Sequence, residues 1–228
     1  MGRLFDMDNK FFRFMGKLAD LCILNVLCIL CCIPVVTAGA SITAMFYVTM
    51  KMVRNEEAYI ARSFFKSFKE NFRQATVINI IMLVIAGVLY VDFRVVKSMP
   101  GTASTVFQYL FLIFAILYVM LFTYIYPVLA KFYNSIKNTF RNAILMSVRH
   151  LPYTVLMILV SICPVLVFYI QSARAQSMLL LLLIMVGFAL VAYINSFFFV
   201  KIFDRYIIQE PEEKSENAEE VQAAGGQD

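Results

Sequence analysis

The chain has 228 residues, 61% of them hydrophobic and only 15% charged; a soluble domain carries about 25% charged residues and under half apolar ones. That balance excludes a water-soluble fold and points to an all-α integral membrane protein, a bundle of about six transmembrane helices with amphipathic cytosolic helices. The net charge of +5 conceals an asymmetry: Gln209–Asp228 carries seven acids and one lysine, which leaves +11 on the rest, an excess suited to anionic lipid headgroups and topology rather than nucleic acid.

The first expected crossing runs from about Met15 to Val36, after Arg3, Lys10, Arg13 and Lys17. A basic start and an apolar stretch also fit a cleaved signal peptide. Removing it would place the six cations between Lys51 and Arg73 on the outside, against the rule that cytoplasmic loops collect Lys and Arg. The uncharged block Leu21–Met50 is therefore expected to be a hairpin, since one straight helix of that length would reach about 45 Å. Pro34 and the Thr37–Ser41 stretch supply the turn. The second arm, about 38–53, is short, and three readings of it stay open: a crossing with little tilt, a locally thinned bilayer, or a partly re-entrant segment.

Further crossings are expected at about 75–96, 105–126, 151–170 and 178–200, with Pro127 ending the fourth. Unbroken apolarity, rather than alternation, makes these helices and excludes a barrel. On this topology 17 Lys and Arg lie inside, against Arg94, Lys97 and Arg174 outside, so both termini are expected in the cytosol. Residues 1–208 form one transmembrane domain, and the acidic 209–228 stretch is expected to be a disordered cytosolic tail.

Between the second and third crossings lies an amphipathic helix. At 100° per residue, Phe64, Phe68, Phe72 and Phe65 occupy one arc, and Lys69, Arg62, Arg73 and Lys66 the adjoining one. Two readings fit: a helix lying on the membrane surface with rings in the acyl boundary, or a helix docking on a partner subunit. A second stripe, Phe140, Ile144 and Val148, follows the fourth crossing.

Intramembrane polar residues are few. Asn25, Asn79 and Asn195 are expected to bridge helices by hydrogen bonds. Asp20 is expected to pair with Lys17 one turn earlier, with a proton or ion site as the alternative. Cys28 and Cys31 form a C-x-x-C, but all five cysteines lie in apolar runs, which favours packing over metal or redox chemistry. Catalysis lacks its parts: His150 is the sole histidine, and no phosphate loop, nucleophile elbow or metal-spaced cluster occurs. No enzyme activity, cofactor or metal is expected.

Three stretches carry a family resemblance. They are Asn25 with Pro34–Tyr47, then Phe64–Phe72, then Asn142-Ala143 and His150-Leu-Pro152 with Ser196 and Ile202–Ile207. In these the chain resembles the YesL family, small bacterial membrane proteins with a domain of unknown function. The resemblance implies a cell-membrane location and an accessory role beside a carbohydrate transport system of the binding-protein-dependent (ABC) type, with transporter subunits as partners. The alternative is a small transporter or permease component. No ligand or catalytic residue comes with the family.

Overall fold

Where lipid offers the backbone no partner, each apolar run must satisfy its own amide groups, and helix is the result. The computed structural model describes residues 10–56, 59–98 and 102–224, with side chains described for 12, 14–56, 59–98 and 104–206. Eight α-helices follow in order: α1 Lys10–Cys32, α2 Ala38–Val53, α3 Ile60–Ser98, α4 Thr102–Lys131, α5 Ile136–Arg149, α6 Leu151–Leu166, α7 Ala173–Leu182 and α8 Phe188–Ala224. Short 3-10 turns stand at Val35–Thr37 and Val167–Tyr169, and a π-helical turn at Leu183–Gly187 joins α7 to α8. There is no strand among the described residues. Among the described residues six helices are long and apolar enough to cross a membrane, so the chain is an all-α multi-pass membrane protein.

The expected hairpin is present. α1 ends at Cys32, and Thr37 staples the turn by donating from Oγ1 to the carbonyls of Cys31 (2.6 Å) and Pro34 (2.8 Å). α2 has the lowest mean hydropathy of the six spans, 1.2, and is the most buried. Its small polar residues Ser41, Thr43 and Thr49 are buried and hydrogen-bonded, Thr49 to Ser196 on α8 at 2.8 Å. A helix surrounded by protein rather than lipid can carry such residues, which accounts for its weak apolar signal.

Three expectations on boundaries need correction. The amphipathic stretch 61–73 is not a separate surface helix but the first third of α3, one unbroken helix of 39 residues and about 58 Å. No Gly or Pro interrupts 60–86, so nothing breaks the helix where the charges stop. Pro127 does not end α4, which continues to Lys131. A proline forfeits one backbone bond, and here Tyr126, Val128 and Leu129 are buried against the bundle and hold the turn in place. Finally, the helical backbone of α8 runs to Ala224, into the acidic stretch from 209; the termini, 1–9 and 225–228, lie outside the described residues.

Two apolar clusters hold the helices together. One gathers α2, α3, α4 and α8 around Ile78, Tyr124, Tyr126, Phe199 and Phe203; the other joins α1, α2 and the start of α3 to α8 through Leu24, Val48, Phe64 and Ala189. α5 packs on α4 and buries Thr139, Ala143, Met146 and Ser147. Its Ile144 and Val148 stay exposed, beside Phe114, Leu117 and Ile85 of the spanning helices.

Candidate functional site

The candidate interface residues sit on the first third of α3, and the structure divides them. Phe64 is fully buried against Leu21, Leu24, Val48 and Met52. Phe68 is half-buried and stacks on Phe64 at 6.1 Å and against Phe72 at 5.5 Å. Phe65 and Phe72 remain exposed, as do Arg62, Lys66, Lys69 and Arg73. The phenylalanine arc thus finds half of its partner within the chain, in α1 and α2, and offers only Phe65 and Phe72 outward among the cations.

The three intramembrane asparagines occupy three separate places. Asn25 on α1 donates from Nδ2 to the carbonyls of Leu183 (3.2 Å) and Ile184 (2.6 Å), and its Oδ1 accepts from the Ala189 amide at 2.8 Å. A π turn shifts the backbone pairing by one residue and leaves groups without the usual i−4 partner. One buried side-chain amide meets three of them. Asn79 on α3 donates to the Val35 carbonyl at the hairpin tip (2.8 Å) and accepts from the Tyr126 hydroxyl (3.0 Å). Asn195 on α8 donates to Ser161 Oγ on α6 at 3.0 Å. Asp20 does not meet Lys17, which donates instead to Asn55 Oδ1 at 3.0 Å. No ion pair reaches Asp20 among the described residues; it lines a surface hollow with Tyr59 and Arg62. The α2–α3 connection carries Asn55 at φ 53°, so Lys17 has a fixed acceptor there rather than a flexible neighbour on its own helix.

Between the hairpin, α4, α6 and α8 lies a half-enclosed cavity of about 680 Å³. Cys28, Met45, Ala192 and Asn195 line it and are buried, whereas the lining residues Ile33, Val119, Ile162 and Phe188 are exposed. Asn195 Oδ1 is one of two buried side-chain polar atoms without a hydrogen-bond partner among the described residues, Thr76 Oγ1 being the other. The cysteines of the C-x-x-C do not face each other: Cys28 Sγ lies 4.0 Å from Cys32 and 3.4 Å from Ser41 Oγ.

At the opposite end of α8, charges from distant parts of the chain meet. Arg54 binds Asp204 and stands 4.0 Å from Glu56. His150 Nε2 is 3.3 Å from the Tyr206 hydroxyl, Arg149 lies 5.7 Å over the Tyr206 ring, and Lys201 lies 5.6 Å over Tyr153. Partial burial, with Arg205 and Arg149 nearby, pushes the His150 imidazole below its ordinary value. Sequence reasoning missed this cluster. An isolated acid between the cations Lys201 and Arg205, Asp204, was the available signal.

Residues 21–93 match a family model described as a protein of unknown function, DUF624. This is the domain family of YesL-type proteins. The match covers 73 of the 228 residues. Neither a curated protein nor a solved structure matches the chain. The DUF624 stretch holds the hairpin, Asn25, Asn79, the Phe-rich third of α3 and the hairpin side of the cavity. Its partners Tyr126, Ala189, Ser196 and Asp204 lie beyond it.

Proposed function

We propose that this protein is a non-enzymatic accessory component of the bacterial cell membrane, docking on the cytosolic side of a transport complex through the outward face of α3. The observation that carries this reading is the state of that face. Phe65 and Phe72 are exposed among Arg62, Lys66, Lys69 and Arg73, on a helix whose other side is locked into α1 and α2 by Phe64 and Phe68. A rigid helix presenting aromatic anchors and cations needs little ordering on binding, which favours a specific interface over a loose one. The excess of Lys and Arg at the α2–α3, α4–α5 and α8 ends supports an orientation with both termini in the cytosol. Carbohydrate as the cargo of the partner rests on the family resemblance alone.

Transport by the chain itself is less favoured. A path would gather Asn25, Asn79 and Asn195 around one polar channel, whereas each bonds a different pair of elements.

Co-purification in mild detergent tests the docking. Phe65→Ala with Phe72→Ala should remove the transporter subunits while membrane insertion persists. Recovery of every partner at the level of the unsubstituted protein would reduce the α3 face to a membrane anchor.

A further inference from the structure

We infer that Arg149, Lys201 and Arg205 form a headgroup site for an anionic phospholipid, at the membrane boundary where α5 turns into α6 beside α8. Their depth follows from the spans. The apolar stretch of α6 starts at Leu151 and that of α8 stops at Tyr206. Arg149 and His150 therefore stand just before one crossing, and Lys201 and Arg205 in the last turns of the other. Two tyrosines hold the patch at that depth, as amphipathic rings do at membrane–water boundaries. Arg149 lies over the Tyr206 ring at 5.7 Å and Lys201 over the Tyr153 ring at 5.6 Å, while His150 Nε2 is 3.3 Å from the Tyr206 hydroxyl.

The charge of this patch is unbalanced. Among the described residues no acid lies within ion-pair distance of Arg149, Lys201 or Arg205, and the neighbouring Asp204 is turned to Arg54. All three cations are exposed. A ring face occupies one side of a cation and leaves N–H donors open. The charges also converge, since Arg205 and Arg149 both add to burial in lowering the His150 imidazole. Like charges gathered at one place repel, and a bound anion relieves that repulsion. The adjoining surface selects the anion. Phe197 and Ile194 lie one and two turns from Lys201 on the same face of α8, and Leu156 one turn after Tyr153 on α6; all three are exposed in spanning segments. A soluble anion would use the cations and leave that apolar surface bare. A phospholipid covers both, with its phosphate among the donors and its acyl chains along the apolar face. A zwitterionic headgroup brings a cation of its own to the patch, so the anionic class is favoured.

The full chain in neutral detergent tests the site in two ways. In native mass spectrometry, dioleoylphosphatidylglycerol should be retained ~10-fold better than dioleoylphosphatidylcholine. Lys201→Gln with Arg205→Gln should remove that preference. Arg94→Gln with Lys97→Gln, an equal loss of charge at the far end of α3, should keep it. In an NMR titration of His150, the anionic lipid should raise the midpoint by about one pH unit, because a nearby anion favours the imidazolium. The phosphatidylcholine and inorganic phosphate should leave the midpoint in place. Equal retention of the two lipids, a preference that survives Lys201→Gln with Arg205→Gln, one lost equally with Arg94→Gln and Lys97→Gln, or a midpoint unmoved by the anionic lipid would each overturn the assignment. A midpoint raised as far by inorganic phosphate would overturn the lipid as occupant. If the chain with Lys201→Gln and Arg205→Gln fails to insert, the titration of the unsubstituted chain against the two lipids and phosphate still decides.

Discussion

Asn79 and Tyr126 meet on the α3–α4 interface, the tyrosine hydroxyl donating to Asn79 Oδ1 at 3.0 Å while the same amide holds the Val35 carbonyl at 2.8 Å. The pair ties the tip of the α1–α2 hairpin to two other helices at one point. Removing Tyr126's hydroxyl (Tyr126→Phe) leaves one acceptor unmet and should cost about 1 kcal/mol. Asn79→Leu strands both the Val35 carbonyl and the Tyr126 hydroxyl and should cost more, ~2–3 kcal/mol. Thermal unfolding in detergent should rank them in that order, and adding Tyr126→Phe to Asn79→Leu should cause no further loss.

Glycine substitutions should produce a graded series. A Cβ on Gly39 would sit 2.7 Å from the Ala75 carbonyl and 2.7 Å from Asn79 Cβ. Backbone cannot yield cheaply there, so Gly39→Ala should separate α2 from α3 and destabilise by ~1–3 kcal/mol or more. At Gly187 the nearest atom is the Leu183 side chain at 3.0 Å, which can turn aside, and the loss should be smaller. Gly16 and Gly87 have nothing within 4 Å. Alanine at either should be neutral or gain up to ~1 kcal/mol from helix propensity. A uniform response across the four sites would contradict the close approach at Gly39.

The π turn depends on one side chain. Asn25→Leu removes the acceptor of the Ala189 amide and the donor for Leu183 and Ile184. Hydrogen exchange should show faster exchange at Ala189 than at residues 192–199 of the same helix. Unchanged protection at Ala189 would mean that the turn stands without Asn25.

His150 should titrate below the ordinary histidine value of 6.5, since burial and the Arg205 and Arg149 charges disfavour the imidazolium. The folded state then binds the proton less readily than the unfolded one. Its stability contribution is complete above pH 6.5 and is lost as pH falls from there through the lowered folded value. NMR of the single histidine should place its midpoint below 6.5. Arg205→Gln should raise that midpoint without restoring it fully, because burial is the larger cause.

Topology has a direct check. In a cysteine-free background, cysteines at Glu56 and Asn138 should resist a membrane-impermeant reagent in intact cells, and one at Ser172 should react. Labelling at Glu56 would remove the hairpin crossing and leave an odd number of spans.

Composition and charge made the class of fold legible, and the hairpin could be read from Pro34 and the length of Leu21–Met50. Packing was legible only in part. The amphipathic pattern of 61–73 is genuine, but periodicity records which side of a helix is apolar and not what covers it; α1 and α2 cover Phe64. Asn25, Asn79 and Asn195 were visible as helix-bridging residues, yet their partners are mostly backbone carbonyls, which have no sequence signature. The cavity had none either, since its lining comes from five helices and looks in sequence like any lipid-facing surface.

The bond between Asn25 and the π turn also has a consequence for biogenesis. Its two halves are separated by about 160 positions in the chain, so the helix made nearly first waits in the bilayer for the one made last. Until Leu183–Ala189 leaves the ribosome, the Asn25 amide has no lasting partner, and the early helices carry a polar flaw exposed to the insertion machinery. Completion of synthesis removes that flaw, because only then does the amide meet the three backbone groups of the turn.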